Sequence, residues 1–151
     1  MDLATTILAT AKAAQVSGAL LFAICSHESN GFKMNYAPND KGSPSIGSCQ
    51  IKEATARMIG FKGLTADLMK PSVNVYWAAK YLAYQQVRYG EDSWVKLAAA
   101  YNAGSYIPSK KKPGCPVNLK YVIKVQAYLE DDLKSRLVCG QQYIAYSRDW
   151  N

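Results

Sequence analysis

The segment SGALLFAICSHESNGF, residues 17–32, is an apolar run that ends in a glutamate and a helix-stopping Ser-Asn-Gly. Ser17 is a candidate N-cap, and the apolar residues after it predict a helix over residues 17–29. Four residues at i, i+3, i+4 and i+7 share one face of this helix: Leu21, Ile24, Cys25 and Glu28. Glu28 is therefore predicted to point into the protein.

Burial and helix position are both expected to raise the pKa of the Glu28 carboxyl group. Desolvation disfavours the ionised form, and the negative end of the helix dipole acts in the same direction. We therefore predict a carboxyl group that is protonated near neutral pH, as a general acid must be. The structural alternative is an outward-facing Glu28 that pairs with a lysine or an arginine.

Helical patterns continue along most of the remaining chain. Further helices are predicted at residues 2–15 with Asp2 as cap, at 52–59, 73–89 and 92–102, and from Val117 to Leu129, with Gly60, Gly90 and Gly104 closing three of them. Residues 33–48 are rich in Asn, Asp, Gly, Pro and Ser, which predicts a loop with at most a small β-hairpin. Because 151 residues suffice for one hydrophobic core, we predict a single all-α domain over residues 1–151.

The composition favours a polar, anionic partner. The formal net charge of +7 would suit nucleic acid, an acidic membrane surface or bacterial cell wall, and the 11 Tyr and 3 Trp offer flat rings with a polar edge that suit sugars. The basic run Lys110–Lys112 lies beside a proline, which is typical of a solvated loop, and no nucleic-acid motif accompanies it. No stretch reaches the roughly 18 apolar residues that a membrane span needs. We expect neither nucleic-acid binding nor stable membrane insertion.

Cysteine and histidine usage does not indicate a metal site. The chain has one histidine, His27, and four cysteines without CxxC spacing: Cys25, Cys49, Cys115 and Cys139. We therefore expect no metal and no cofactor. Four cysteines allow three disulfide pairings, and the acidic second residue and missing basic start make the N-terminus a poor secretory signal. This favours free thiols at synthesis and leaves disulfide formation open.

Four short motifs follow one another along the chain. They are Glu28-Ser29, SIGSCQI at residues 45–51, ATAR at residues 54–57 and AAYNAG at residues 99–104. With Asn74 and the pair Tyr121-Val122, they make residues 17–130 resemble the soluble lytic transglycosylase domain, a lysozyme-like family. The resemblance implies a mostly helical lysozyme-like fold, α+β with at most a small β-hairpin, and a groove for a glycan strand.

The resemblance implies an enzyme that cleaves peptidoglycan glycan strands, with Glu28 as its single acid/base. Glu28 would protonate the oxygen between N-acetylmuramic acid and N-acetylglucosamine, and the 2-acetamido group of the muramic sugar would stabilise the cationic centre. The Glu28 carboxylate would then take the proton of the C6 hydroxyl, which closes a 1,6-anhydro ring without consuming water. Such substrate-assisted chemistry departs from the two-carboxylate rule of glycosidases.

The resemblance also implies a set of substrate-binding residues: Ser29, Ser48, Gln50, Tyr101, Asn102 and Tyr121. The Gln50 amide can bond an acetamido group or hold its loop, and Tyr121 matches a tyrosine that orients the catalytic glutamate. Ser48-Cys49 stands where the family usually has Leu-Met, which changes the polarity of one groove wall. Because the fold brings this loop near the helix of Glu28, a disulfide between Cys25 and Cys49 is a hypothesis.

Two other functions remain open. A goose-type lysozyme-like hydrolase would use Asp40, the candidate second carboxylate, to position water, although the turn sequence APNDKG explains Asp40 equally well. A non-catalytic cell-wall-binding module would keep the groove but has no need of a buried acid.

Size and N-terminal sequence also bear on the setting in which the protein acts. Both favour a monomeric endolysin or virion-associated bacteriolytic enzyme of a bacteriophage. We expect it to be made in the host cytoplasm and delivered by a holin or a tail to the periplasmic or extracellular wall. Residues 131–151 lie beyond the resemblance, and a cap over the groove and a terminal helix are both compatible with their sequence.

Overall fold

The computed structural model describes residues 2–30, 32, 36–40, 42–90, 93–129, 135–137 and 144–146, of which 36–40, 135–137 and 144–146 by their backbone alone. The elements are, in chain order, α1 (Leu3–Ala14), α2 (Gly18–Glu28), β1 (Tyr36–Asp40), β2 (Ser43–Ile46), β3 (Ile51–Lys52), α3 (Glu53–Met58), a 3-10 helix (Thr65–Met69), α4 (Pro71–Tyr89), α5 (Trp94–Ala103), α6 (Leu119–Gln126), β4 (Ser135–Leu137) and β5 (Ile144–Tyr146). Helices dominate, so the predicted fold class is confirmed. Among the described helices, none combines the length and apolar character needed to cross a bilayer.

Side-chain caps begin the first two helices where the sequence predicts them. The Asp2 Oδ1 atom accepts a hydrogen bond of 2.7 Å from the Thr5 N–H at the start of α1. The Ser17 Oγ atom accepts one of 3.1 Å from the Leu20 N–H at the start of α2. Gly104 ends α5 in the left-handed conformation, with a φ of 87°, which glycine adopts without a steric penalty.

The last predicted helix is shorter than its sequence pattern. α6 begins after Asn118 and ends at Gln126. Val117 lies before the helix, and its N–H donates to the Ile107 carbonyl at 2.9 Å, which ties it to the preceding loop. At the other end, the Leu129 N–H bonds three residues back, to the Gln126 carbonyl at 3.1 Å, so the chain leaves α6 through a tighter turn.

α4 contacts α1, α2, α3 and α5 and so lies at the centre of the helical packing. The buried faces of α4 and α5 contain many small residues: Ala78, Ala79, Ala98, Ala99 and Ala100. Small side chains let helices approach closely, and removal of apolar surface from water is the main force that stabilises the packing. α6 packs on α5 and α2, which brings Tyr121 toward the end of α2.

The chain between α2 and α3 forms a three-stranded antiparallel sheet of order β1-β2-β3. β1 and β2 form the predicted hairpin, in which Tyr36 pairs with Ile46. The sequence did not predict β3, where Ile51 pairs with Ile46. A strand of two residues has too little alternation to be recognised from a sequence. β3 leads directly into α3, so the motif of residues 45–51 spans two strands and the turn between them.

The turn between β2 and β3 is fixed by Asn74 of α4. The Cys49 N–H donates to the Asn74 Oδ1 atom at 2.9 Å. The Asn74 Nδ2 atom donates to the carbonyl groups of Ile46 at 2.7 Å and Leu68 at 2.8 Å. Asn74 is fully buried, so these bonds satisfy polar atoms that water cannot reach. Gly47, with a φ of 81°, passes so close that a Cβ atom there would overlap the Asn74 amide.

A disulfide joins Cys25 of α2 to Cys49 of this turn. The hypothesis drawn from the family resemblance is therefore confirmed. Cys115 is disulfide-bonded as well. The Cys25–Cys49 bond connects the helix that ends in Glu28 with the turn that carries Gln50, the residue after Cys49.

Strands occupy the described parts of the terminal segment, residues 131–151. β4 and β5 pair in an antiparallel manner, with Arg136 opposite Ala145. Residues 135–137 and 144–146 are therefore not part of a terminal helix, and the rest of this segment lies outside the described residues.

Candidate active site

A cavity of about 210 Å³ opens between the end of α2, the β2–β3 segment and the end of α5. The residues that line it are Glu28, Ser45, Gln50, Ile51, Lys52, Thr55, Tyr81, Tyr101, Asn102, Ala103 and Gly104. They offer carboxyl, amide, hydroxyl and ammonium groups together with two aromatic rings. Such a lining suits a polar, ring-shaped ligand.

Glu28 is the last residue of α2 and is half-buried at the wall of this cavity. The Tyr121 hydroxyl donates a hydrogen bond to the Glu28 Oε2 atom at 2.7 Å. The chain reversal that follows is held by Ser29, whose Oγ atom donates to the Cys25 carbonyl at 2.7 Å and accepts from the Phe32 N–H at 2.6 Å. The carboxyl group is thus held through its own helix and through α6.

Two tyrosine hydroxyls near Glu28 stay protonated because a phenolate there would be buried and would be repelled by an ionised Glu28 carboxylate. Burial raises the pKa of Tyr121 well above its usual value, and the Glu28 carboxylate raises it further. The same two causes, in the same order, raise the pKa of Tyr101 well above its usual value. The Tyr101 hydroxyl donates to the Cys49 carbonyl at 2.9 Å, which ties α5 to the β2–β3 turn. Tyr121 therefore remains a donor to Glu28 at neutral pH.

The structure brings together most of the site residues that the sequence predicts. Glu28, Gln50, Tyr101 and Asn102 line one cavity, and Tyr121 reaches Glu28 from α6. The Gln50 Nε2 atom donates to the Gly47 carbonyl at 2.9 Å, so the Gln50 amide holds its own turn, one of the two roles expected for it.

The other three predicted residues are placed differently. Ser29 and Ser48 are fully buried and are not among the residues that line the cavity, so neither presents a surface to a ligand there. The backbone of Asp40 lies on β1 and pairs with Ser43. The Asp40 side chain lies outside the described part of the chain, and its role as a second carboxylate stays a prediction.

Lys52 and Tyr81 line the cavity without having been predicted. Lys52 is the one basic residue among the described residues that line it, as Glu28 is the one acidic residue. Because Lys52 directly follows the motif of residues 45–51, its position could have suggested a place in the site. Tyr81 lies on α4, where its hydroxyl accepts a hydrogen bond of 3.0 Å from the Gln85 Nε2 atom. Helical periodicity alone does not distinguish such a residue from an ordinary core tyrosine.

Comparison with known proteins agrees with this architecture. Residues 5–113 match the family model described as the transglycosylase SLT domain, so the chain belongs to that family. An inactive mutant of lytic transglycosylase Slt from Pseudomonas aeruginosa has a similar fold, with a TM-score of 0.65 and 20% identity, over 82% of this chain and 22% of that one. The chain thus spans about a fifth of the length of that enzyme. A comparison with curated proteins found no match. The family membership expected from the motifs is confirmed.

Proposed function

We propose that this chain is a peptidoglycan lytic transglycosylase that cleaves the β-1,4 bond between N-acetylmuramic acid and N-acetylglucosamine. The observation that carries the proposal is the carboxyl group of Glu28, which lines a polar cavity and accepts a hydrogen bond from Tyr121. Membership of the transglycosylase SLT domain family supports peptidoglycan as the substrate.

Glu28 acts first as the general acid and then as the general base. It protonates the glycosidic oxygen as the bond breaks, and the 2-acetamido group of the muramic sugar stabilises the developing cation. The carboxylate then accepts the proton of the C6 hydroxyl, whose oxygen attacks the anomeric carbon and closes the 1,6-anhydro ring. General acid–base catalysis of this kind contributes roughly 10²- to 10⁴-fold.

The surroundings of Glu28 support a mechanism with one carboxylate. Among the described residues that line the cavity, Glu28 is the one acidic side chain. The bond from Tyr121 fixes the direction of the Glu28 carboxyl group, and such fixing lowers the cost of reaching the reactive geometry. Gln50, Lys52 and Asn102 line the same cavity and would contact the sugar hydroxyl, acetamido and carboxylate groups of a bound strand.

The products of peptidoglycan digestion distinguish a transglycosylase from a hydrolase. We expect mass spectrometry of the released muropeptides to show species one water lighter than hydrolysis products, with muramic ends that borohydride does not reduce. The 1,6-anhydro ring explains both properties because it uses the C6 hydroxyl in place of water. Reducible ends would contradict the proposal and indicate a lysozyme-like hydrolase. Absence of products from a folded protein that still binds the wall would favour a binding module.

The Asp40→Asn variant distinguishes the same two mechanisms by its rate of wall lysis. A transglycosylase that uses Glu28 alone should keep its rate of wall lysis within about twofold, because its chemistry positions no water. A hydrolase that depends on Asp40 should lose most of its activity. The rate of clearing of a cell-wall suspension measures the difference, and a large loss in this variant would count against the single-carboxylate mechanism.

A further inference from the structure

Asn118 is the N-cap residue of α6, yet its side chain does not cap the helix. Asparagine is a preferred N-cap because its Oδ1 atom can accept a hydrogen bond from the first turn. Here the Oδ1 atom is buried and has no hydrogen-bond partner among the described residues. A buried acceptor without a partner destabilises a protein. Interactions of the other end of the amide must therefore hold Asn118 in this orientation.

The other end of the Asn118 amide bonds to α5. Its Nδ2 atom donates to the Ala99 carbonyl at 3.0 Å and to the Asn102 Oδ1 atom at 2.9 Å. A backbone carbonyl can only accept hydrogen bonds. The Ala99 carbonyl therefore determines that the Nδ2 end, and not the Oδ1 end, of Asn118 faces α5.

This orientation determines the orientation of a second amide. Because Asn102 receives a donor from Asn118, the Oδ1 atom of Asn102 must lie on that side. The Nδ2 group of Asn102 is then its remaining polar end, and among the described residues no protein acceptor binds it. Asn102 is exposed and lines the same cavity as Glu28.

We propose that Asn118 is a positioning residue that fixes the amide of Asn102 so that its two N–H donors are presented to the ligand in the cavity. The two ends of an asparagine amide have almost the same shape, so an unrestrained side chain could offer either a donor or an acceptor. With Asn118 in place, this wall selects a ligand group that accepts hydrogen bonds, such as a sugar hydroxyl or an acetamido carbonyl oxygen. Only the identity of the ligand rests on the proposed function.

Asn118→Asp tests the orientation directly. Aspartate has the same shape and is also a preferred N-cap, but its carboxylate can only accept, so the Asn102 amide must turn to donate to it. We expect the side-chain amide signals of Asn102 in ¹⁵N nuclear magnetic resonance spectra to shift and to exchange more slowly with solvent. Unchanged Asn102 signals in a folded Asn118→Asp protein would overturn the proposal, whether or not the protein cleaves peptidoglycan.

A double-mutant cycle with Asn102→Ala tests the consequence for the reaction. On soluble, uncross-linked peptidoglycan strands, Asn118→Asp should lower kcat/KM about tenfold in the wild-type background and less than about twofold in the Asn102→Ala background. Equal losses in both backgrounds would overturn the proposal, because Asn118 would then act without Asn102. Melting temperatures measured in parallel report any purely structural effect, which should be the same in both backgrounds. A wild-type protein that fails to cleave would contradict the proposed function, while the signals of Asn102 still decide its orientation.

Discussion

Glu28→Gln is expected to lower the rate of peptidoglycan cleavage by about 10³-fold or more, because glutamine keeps the shape of glutamate but cannot donate the required proton or take it back. Glutamine can still accept the hydrogen bond from Tyr121 through its carbonyl oxygen, so the fold should be retained. The measurement is the release of muropeptides from purified peptidoglycan, with circular dichroism and the melting temperature as checks of folding.

Glu53→Gln is the matched control for that experiment. Glu53 makes a hydrogen-bonded ion pair with Arg57 at 2.7 Å and is not among the residues that line the cavity. The same chemical change there should leave the cleavage rate close to that of the wild-type protein. Normal clearing of cell walls by Glu28→Gln would remove Glu28 from the mechanism. Equal losses in both variants would mean that the effect is not specific to the cavity.

Asn74→Ala is expected to lower the free energy of unfolding by about 3 to 5 kcal/mol. The substitution leaves the Cys49 N–H and the carbonyl groups of Ile46 and Leu68 without the partners that Asn74 supplies. All three bonds are buried, so water cannot replace the lost amide without opening the structure. Urea denaturation measures the change through the midpoint at constant slope.

Ser72→Ala provides the comparison on the same helix. Ser72 is exposed in the first turn of α4, and a surface substitution of this kind should change the free energy of unfolding by less than about 0.5 kcal/mol. A loss below about 1 kcal/mol in Asn74→Ala would show that the β2–β3 turn holds its shape without the three bonds.

Local sequence signals were sufficient to predict the helices and the inward position of Glu28. The N-caps Asp2 and Ser17 act within three residues of themselves, so a short window of sequence contains the whole interaction. The apolar spacing that leads to Glu28 is likewise local: Leu21 and Ile24 are fully buried, while Glu28 is half-buried at the cavity wall. The order of the motifs then indicated the family, and the resemblance led to the hypothesis of a disulfide between Cys25 and Cys49, which the structure contains.

Interactions between distant parts of the chain were beyond such reasoning. β3 forms because Ile51 pairs with Ile46 across a turn. Its two residues are too few to show the alternation of apolar and polar residues that predicts a strand. The bond between Asn118 and Asn102 joins residues 16 positions apart. The resemblance implies a substrate-binding role for Asn102, but nothing in the sequence near either asparagine predicts that the two side chains bond. Asn118 also lies after residue 113, where the match to the family model ends.

The covalent link between α2 and the β2–β3 turn makes the two walls of the cavity sensitive to the compartment in which the protein resides. Closing a loop with a sequence separation of 24 stabilises a protein by about 3 to 4 kcal/mol in the chain-entropy account. Cytoplasmic reductants keep thiols reduced, whereas the bacterial periplasm and the extracellular space oxidise them. In a reducing compartment, the wall that carries Glu28 and the wall that carries Gln50 would therefore lack their covalent link.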